Sequence, residues 1–142
     1  MIFIQKEIQI PSKIRGFHII TDIIQEELPE LKYVKYGNLS IFIKHTSASL
    51  TINENADPSV RMDFESHFNK MIPENMPYYK HIYEGSDDMP AHIKASIIGS
   101  SIQVPVSKGE FNLGVWQGIY LCEHRNNASS RFLVLTLMGT DK

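Results

Sequence analysis

Leu39-Ser40-Ile41-Phe42-Ile43-Lys44 runs directly into His45-Thr46-Ser47-Ala48-Ser49-Leu50-Thr51-Ile52-Asn53-Glu54-Asn55-Ala56-Asp57, and the rest of the chain can be read outward from this stretch. Residues Leu39 to Lys44 alternate as a strand, with Ile41, Ile43 and then His45 on one face. The segment from His45 to Asp57 carries one imidazole, four hydroxyls, two amides and two carboxylates. So polar a segment beside an apolar strand hides little surface, and its side chains are suited to gripping a ligand. Part of it is expected to form a further strand through Leu50, Thr51 and Ile52. Asp57 and Pro58 then supply an N-cap and a first helical residue. Val60, Phe64, Phe68 and Met71 follow at helical spacing until Pro73 stops the helix.

Upstream, Ile2, Ile4, Ile8 and Ile10 alternate with polar residues and predict a half-buried strand. A short strand over Gly16 to Ile20 leads to a helix capped by Thr21, with Ile23, Ile24 and Leu28 as its buried stripe and Pro29 as its end. The periodicity leaves open a helix start near Phe17. Downstream, Pro73, Pro77 and Gly85 mark residues 73–89 as a loop long enough to be functional. Asp87-Asp88-Met89-Pro90 opens a short helix that ends at Gly99. Ile102, Val104 and Val106 alternate before a turn at Lys108-Gly109-Glu110. Gln117 to His124 reads as a strand, Asn126-Asn127-Ala128 as a turn, and Arg131 to Met138 as a closing strand. The run Leu133-Val134-Leu135-Thr136-Leu137 predicts burial on both faces. The expected fold is a compact α+β single domain over 1–142, mainly antiparallel sheet covered by helices.

With 142 residues, of which 42% are hydrophobic and 21% charged, the chain can bury a core without staples. A net charge of −2 with scattered lysines gives no basic face for nucleic acid. The single cysteine, Cys122, forms no intrachain disulfide, which suits a reducing cytoplasm. No apolar run approaches the roughly 18 residues of a membrane span, so no membrane partner is expected.

Histidine is the natural metal ligand among the polar residues. His45, His92 and His124 lie at element ends, where active sites are commonly built, and a catalytic zinc takes three protein ligands plus water. Each is equally well explained as a lone histidine bonded to backbone, and His81 is a fourth candidate that spacing does not rank against His124. Glu84, Asp87 and Asp88 suit a hard ion such as magnesium, or acid–base work. Thr46, Ser47 and Ser49 can donate to anionic oxygens or satisfy loop backbone. Arg125 can grip phosphate through its planar fork or sit in a salt bridge. Cys122 and His124 share a strand face, but a small buried thiol is the commoner outcome.

Three segments closely resemble the motifs of the YjbQ-type family, the secondary thiamine-phosphate synthase family. They are His45 to Asp57; Tyr79-Lys80-His81 through Asp87-Asp88-Met89-Pro90-Ala91-His92-Ile93-Lys94; and Leu113-Gly114-Val115-Trp116-Gln117-Gly118-Ile119-Tyr120-Leu121-Cys122-Glu123-His124-Arg125. They occur in the family's order over nearly the whole chain. Val115 departs from the pattern, where a threonine is expected. The resemblance implies a compact α+β fold, a homotrimer, an active site of clustered histidines and acids, and a weak thiamine-phosphate synthase activity. That reaction joins an aminopyrimidine-methyl diphosphate to a thiazole phosphate and releases diphosphate.

The expectation for function is therefore a small cytoplasmic enzyme acting on a phosphorylated small molecule. A divalent metal, zinc or magnesium, or the substrate's phosphate would sit on His45, His92 and His124. Glu84, Asp88 and His92 would be catalytic, while Thr46, Ser47, Ser49 and Arg125 would bind phosphate. The alternative is a non-catalytic trimeric module that binds a metal or small anion. A third reading is a metal-dependent hydrolase using the same site.

Overall fold

In the computed structural model, which describes residues 1–141, eight strands form two antiparallel sheets. The strands are β1 (Ile2–Ile10), β2 (Gly16–Ile19), β3 (Tyr36–Ile43), β4 (Ala48–Glu54), β5 (Ser101–Ser107), β6 (Glu110–Phe111), β7 (Gln117–Glu123) and β8 (Arg131–Thr140). The larger sheet has the order β1-β8-β3-β5-β6 and the smaller β2-β7-β4. Three helices complete the fold: α1 (Thr21–Glu26), α2 (Pro58–Met71) and α3 (Asp88–Ile98). The architecture is α+β, as the alternating patterns predict.

One hydrophobic cluster joins the sheets. Ile8, Ile10, Leu39, Ile41, Ile43, Leu133, Leu135 and Leu137 face it from the larger sheet, and Leu50, Ile119 and Leu121 from the smaller. Ile24 of α1 and the 3-10 turn over Pro29–Tyr33 close one end. The far side of the smaller sheet carries Phe17, Tyr120 and Cys122, which pack beneath Phe64 and Phe68 of α2 and Ile98 of α3. The layers therefore run from larger sheet to smaller sheet to helices. β7 lies in the middle layer and is buried on both faces.

Four expectations need correction. Burial on both faces belongs to β7, not to β8: Val134 and Thr136 are half-buried, and Phe132 and Met138 are 38% and 43% exposed. Among the described residues, the helices cover the smaller sheet and none covers the outer face of the larger one. The turn at Asn126-Asn127-Ala128 does not pair β7 with β8 but carries the chain from one sheet to the other. Finally, Thr21 is inside α1, preceded by Ile20 as N-cap, and its hydroxyl accepts from the Ile119 N–H at 2.9 Å. It ties α1 to β7 instead of capping.

Elsewhere local chemistry acts as read. The Asp57 carboxylate accepts from the Ser59 N–H at 2.9 Å, ahead of Pro58. Lys108 and Gly109 both have positive φ, the pairing that a tight hairpin between β5 and β6 requires.

Candidate metal centre and cleft

Helix α3 sets the geometry. Asp88 and His92 are four residues apart and so share a face. The loop between α2 and α3 brings His81 to the same point. The ligand atoms of His81, Asp88 and His92 lie within 4.8 Å of one another. Asp88 Oδ2 is 2.6 Å from His81 Nε2 and 3.0 Å from His92 Nε2. Asp88 is 1% exposed, whereas the two imidazoles reach the surface.

Hydrogen bonding assigns the proton on His92. Its Nδ1 is 2.9 Å from the Thr46 carbonyl oxygen, which only accepts, so Nδ1 carries hydrogen and donates. In the neutral ring Nε2 is then a lone pair, aimed at a carboxylate oxygen. Two lone pairs in opposition repel unless the ring holds a second proton or a cation shares the space. A metal-bound histidine typically donates its other nitrogen to a carbonyl in this manner.

Arg125 holds the carboxylates in place. Its Nε donates to Asp87 Oδ2 at 2.8 Å, Nη1 to Asp88 Oδ1 at 2.5 Å, and Nη2 to the Glu84 carbonyl at 2.9 Å. Burial alone would raise the Asp88 pKa. The hydrogen bond from His81 and the charges of His92 and Arg125 outweigh burial and hold it below the usual carboxylate value. Asp87 is likewise lowered, by Arg125 and the Asn126 N–H against the effect of burial. Asp88 is therefore an anion with one oxygen free for the histidines.

Beside this cluster lies a cleft of about 290 Å³, walled by His45, Thr46, His92, Ser96 and Ser100 among others. Thr46, Ser96 and Ser100 are exposed there. Ser47 and Ser49 are not: Ser47 Oγ accepts from Arg131 at 3.1 Å, and the fully buried Ser49 meets His124 Nε2 at 2.8 Å. Their hydroxyls serve the interior and not a phosphate.

The three histidines expected together are separated. His92 belongs to the cluster. His45 shares its cleft, but His45 Nε2 accepts from the Phe132 N–H at 2.8 Å, which removes that lone pair from ligation. His124 is 1% exposed, and burial, followed by the charges of Lys94, Arg15 and Arg131, pushes its pKa down to about 3. It is a neutral core residue, and His81 stands where it was expected. Glu84 is at the margin, its carboxylate 65% exposed and 3.8 Å from His81 Nε2. The Arg125 fork, expected on phosphate, is engaged by Asp87, Asp88 and the Glu84 carbonyl. Cys122 is fully buried, and burial raises its pKa to about 12, which removes the thiolate.

Two polar residues had no signal in the sequence. Arg131 forms a two-pronged pair with Glu123, at 2.7 and 2.5 Å, with both side chains nearly inaccessible. The pair spans from the end of β7 to the start of β8 and so links the two sheets. Lys94, on α3, is 1% exposed and donates to Asn69 Oδ1 of α2 at 2.6 Å.

Residues 6–140 match the model of the family described as UPF0047 protein YjbQ-like. The chain belongs to this family. It is 51% identical to the UPF0047 protein YjbQ of Salmonella typhimurium over 135 residues, 95% of this chain and 97% of that relative. It is 40% identical to the UPF0047 protein YugU of Bacillus subtilis over 103 residues, 72% and 75% of the two chains. A YjbQ/UPF0047-family crystal structure from Clostridium acetobutylicum superposes with a TM-score of 0.82 at 34% identity, covering 94% of this chain and 99% of that one. A YbjQ-like protein from Sulfolobus solfataricus gives a TM-score of 0.84 at 23% identity, covering 97% and 98%, and shares the fold.

Proposed function

We propose that His81, Asp88 and His92 hold a divalent cation, and that the adjoining cleft receives a small phosphorylated substrate. The observation that carries this reading is the convergence of His81 Nε2, His92 Nε2 and Asp88 Oδ2 within 4.8 Å, with His92 Nδ1 held by the Thr46 carbonyl. Two imidazole nitrogens and one carboxylate oxygen suit zinc or a similar ion. When bound, such an ion stabilises negative charge growing on a leaving phosphate oxygen.

The reaction proposed is the thiamine-phosphate synthase reaction implied by the three motifs. The thiazole nitrogen bonds to the methylene carbon of the aminopyrimidine, the carbon–oxygen bond breaks, and its electron pair leaves with diphosphate. The exposed hydroxyls of Thr46 and Ser100 would donate to the phosphate oxygens, whereas the Ser96 O–H is held by the His92 carbonyl at 2.9 Å. Arg125 acts as a positioning residue by holding Asp88 in its charged, correctly turned form. Glu84 is placed at the rim to accept or return a proton. Assembly as a homotrimer is part of the proposal, and the uncovered apolar residues on the outer sheet face support it.

One observation favours the second reading, a non-catalytic trimeric module that binds a metal or small anion. At about 290 Å³ the cleft is at the small end for a ligand site, and two substrates must meet for synthesis. Elemental analysis after exposure to zinc, manganese or magnesium, followed by a synthase assay, separates the readings. Near-stoichiometric metal in the wild type and in His45→Ala, lost in His81→Ala and His92→Ala, is expected. Formation of thiamine phosphate by the loaded protein selects the enzyme. Bound metal without turnover selects the module. A wild type that takes up none of the three ions overturns the cation site.

A further inference from the structure

The His45-Thr46 segment serves the cleft beside the cation cluster in two ways. The Thr46 carbonyl accepts from His92 Nδ1 at 2.9 Å and so orients one imidazole of the cluster. His45 itself forms part of the wall. Its Nε2 accepts from the Phe132 N–H at 2.8 Å, and the Phe132 ring stacks on the imidazole at 6.1 Å between centroids. A backbone N–H only donates, so Nε2 holds a lone pair and the proton of the neutral ring sits on Nδ1. Neither nitrogen is then free to ligate a cation. Burial, followed by the charge of Arg131 and assisted by Lys44, lowers the His45 pKa against the opposing pull of Glu123, which keeps the ring neutral.

Among the described residues the Nδ1–H has no hydrogen-bond partner, and it reaches solvent. A ring anchored at one nitrogen therefore presents a fixed donor at the other. The rest of the wall includes no carboxylate, ammonium or guanidinium. The hydroxyls of Thr46 and Ser100 can donate or accept, and that of Ser96 is held by the His92 carbonyl at 2.9 Å. His45 Nδ1–H can only donate, so it selects an acceptor atom in whatever occupies the cleft. Beside a cation site, that acceptor is an anionic oxygen.

We propose that His45 is a substrate-binding residue that donates its Nδ1–H to a phosphate oxygen, acting as a neutral donor and neither as a metal ligand nor as a base. This role rests on the cleft being a phosphate site, and it leaves the metal to His81, Asp88 and His92. A neutral imidazole is a competent donor to an oxygen that gains charge in a reaction.

The test is nitrogen-15 NMR of the imidazoles in the full-length protein at neutral pH. It is run once with chelator and once on zinc-loaded protein freed of excess metal, each titrated with inorganic phosphate. His45 is expected as the Nδ1–H tautomer, with a saturable shift on adding phosphate. The amide of His45→Gln reaches the Nε2 position and keeps an acceptor for the Phe132 N–H, so melting should stay close to wild type. Phosphate binding should still weaken about tenfold, the loss of one hydrogen bond to a charged group. His45→Asn, whose amide nitrogen falls near the Nδ1 position, should recover part of that loss while melting earlier. Zinc content should match wild type in both variants. An Nε2–H tautomer overturns the proposal, as does phosphate that leaves the His45 resonance unmoved both with chelator and with zinc. His45→Gln that binds phosphate like wild type also overturns it, since the contact to Phe132 would then be the whole role. Failure of the cation site is seen separately, as zinc absent from the wild type while the phosphate response at His45 persists in chelator.

Discussion

At Asp88 one oxygen of the carboxylate takes the Arg125 N–H and the other faces two imidazoles. Asp88→Asn keeps the shape and removes the charge, and elemental analysis should show the metal lost while the fold survives. Arg125→Met leaves the ligand atoms in place but frees Asp88 to rotate, so zinc affinity measured by chelator competition should fall roughly 10–100-fold. Arg125→Lys should restore little, because an ammonium does not bridge two carboxylates as a fork does. His124 makes a prediction in pH. Its folded pKa of about 3 lies below the ordinary 6.5, so between these values the unfolded chain binds the extra proton. Its contribution is present above about 6.5 and lost progressively as pH falls towards 3. The loss amounts to a few kcal/mol at about pH 4, of order one for each pH unit. Urea unfolding between pH 7 and 4 should show that slope, and His124→Asn should flatten it. Asp87 and Asp88, both lowered, lose their contribution only as pH falls below the usual carboxylate range, which separates the two effects. At the sheet junction, Glu123→Ala strands the Arg131 charge inside the protein. Destabilisation of about 3–5 kcal/mol is expected in urea, and much less when Arg131→Met accompanies it.

Among the elements, α3 and the β3–β8 pair carry the most specific demands. The i, i+4 spacing in α3 places Asp88 and His92 together while turning Lys94 away, under α2. One helix thus supplies a surface cluster on one side and a buried ammonium on the other. In the larger sheet Gly37 pairs with Gly139, and Val34 packs over both. A Cβ at Gly37 would run into the Met138 carbonyl oxygen, and one at Gly139 would meet the Tyr36 carbonyl oxygen at 2.6 Å. Backbone on a paired strand has little room to yield. Gly37→Ala should therefore destabilise by about 1–3 kcal/mol, read from a shifted urea midpoint with an unchanged m-value. Gly99, whose added Cβ would meet nothing, forms a contrast: there the cost of alanine comes from its φ of 112°.

On the scale of the molecule, the uncovered face of the larger sheet is the feature a monomer leaves unused. Phe3, Phe42, Phe132 and Met138 stand on it at 66%, 46%, 38% and 43% exposure, beside a polar ladder in which Gln5 donates to Thr136 and Gln103 to Ser40. If the proposed homotrimer uses this face, light scattering should give three copies for the wild type and fewer for Phe42→Glu. A trimer that survives this substitution would place the interface elsewhere. Among the described residues, no helix is long and apolar enough to cross a membrane.

What the amino-acid order determined by itself is local. Alternation in Ile2–Ile10 and Ile102–Val106, the Asp57-Pro58 start of α2 and the Lys108-Gly109 turn are nearest-neighbour effects, and they place the elements within a residue or two. Asp88 and His92 were candidates by residue type alone, and the turn of α3 is what brings them to one face. The tertiary structure decided which strands share a sheet, and with it which faces are buried. β7 and β8 have similarly apolar sequences, yet only β7 lies between two layers. It also decided the site. His81 and His124 are alike as letters, but the loop before α3 carries one to the surface beside Asp88, and β7 carries the other into the core. Glu123 and Arg131 meet only because the chain crosses between sheets there. Side chains set far apart by the chain's long-range path carry no periodic signal, because nothing in their own neighbourhood requires the partner.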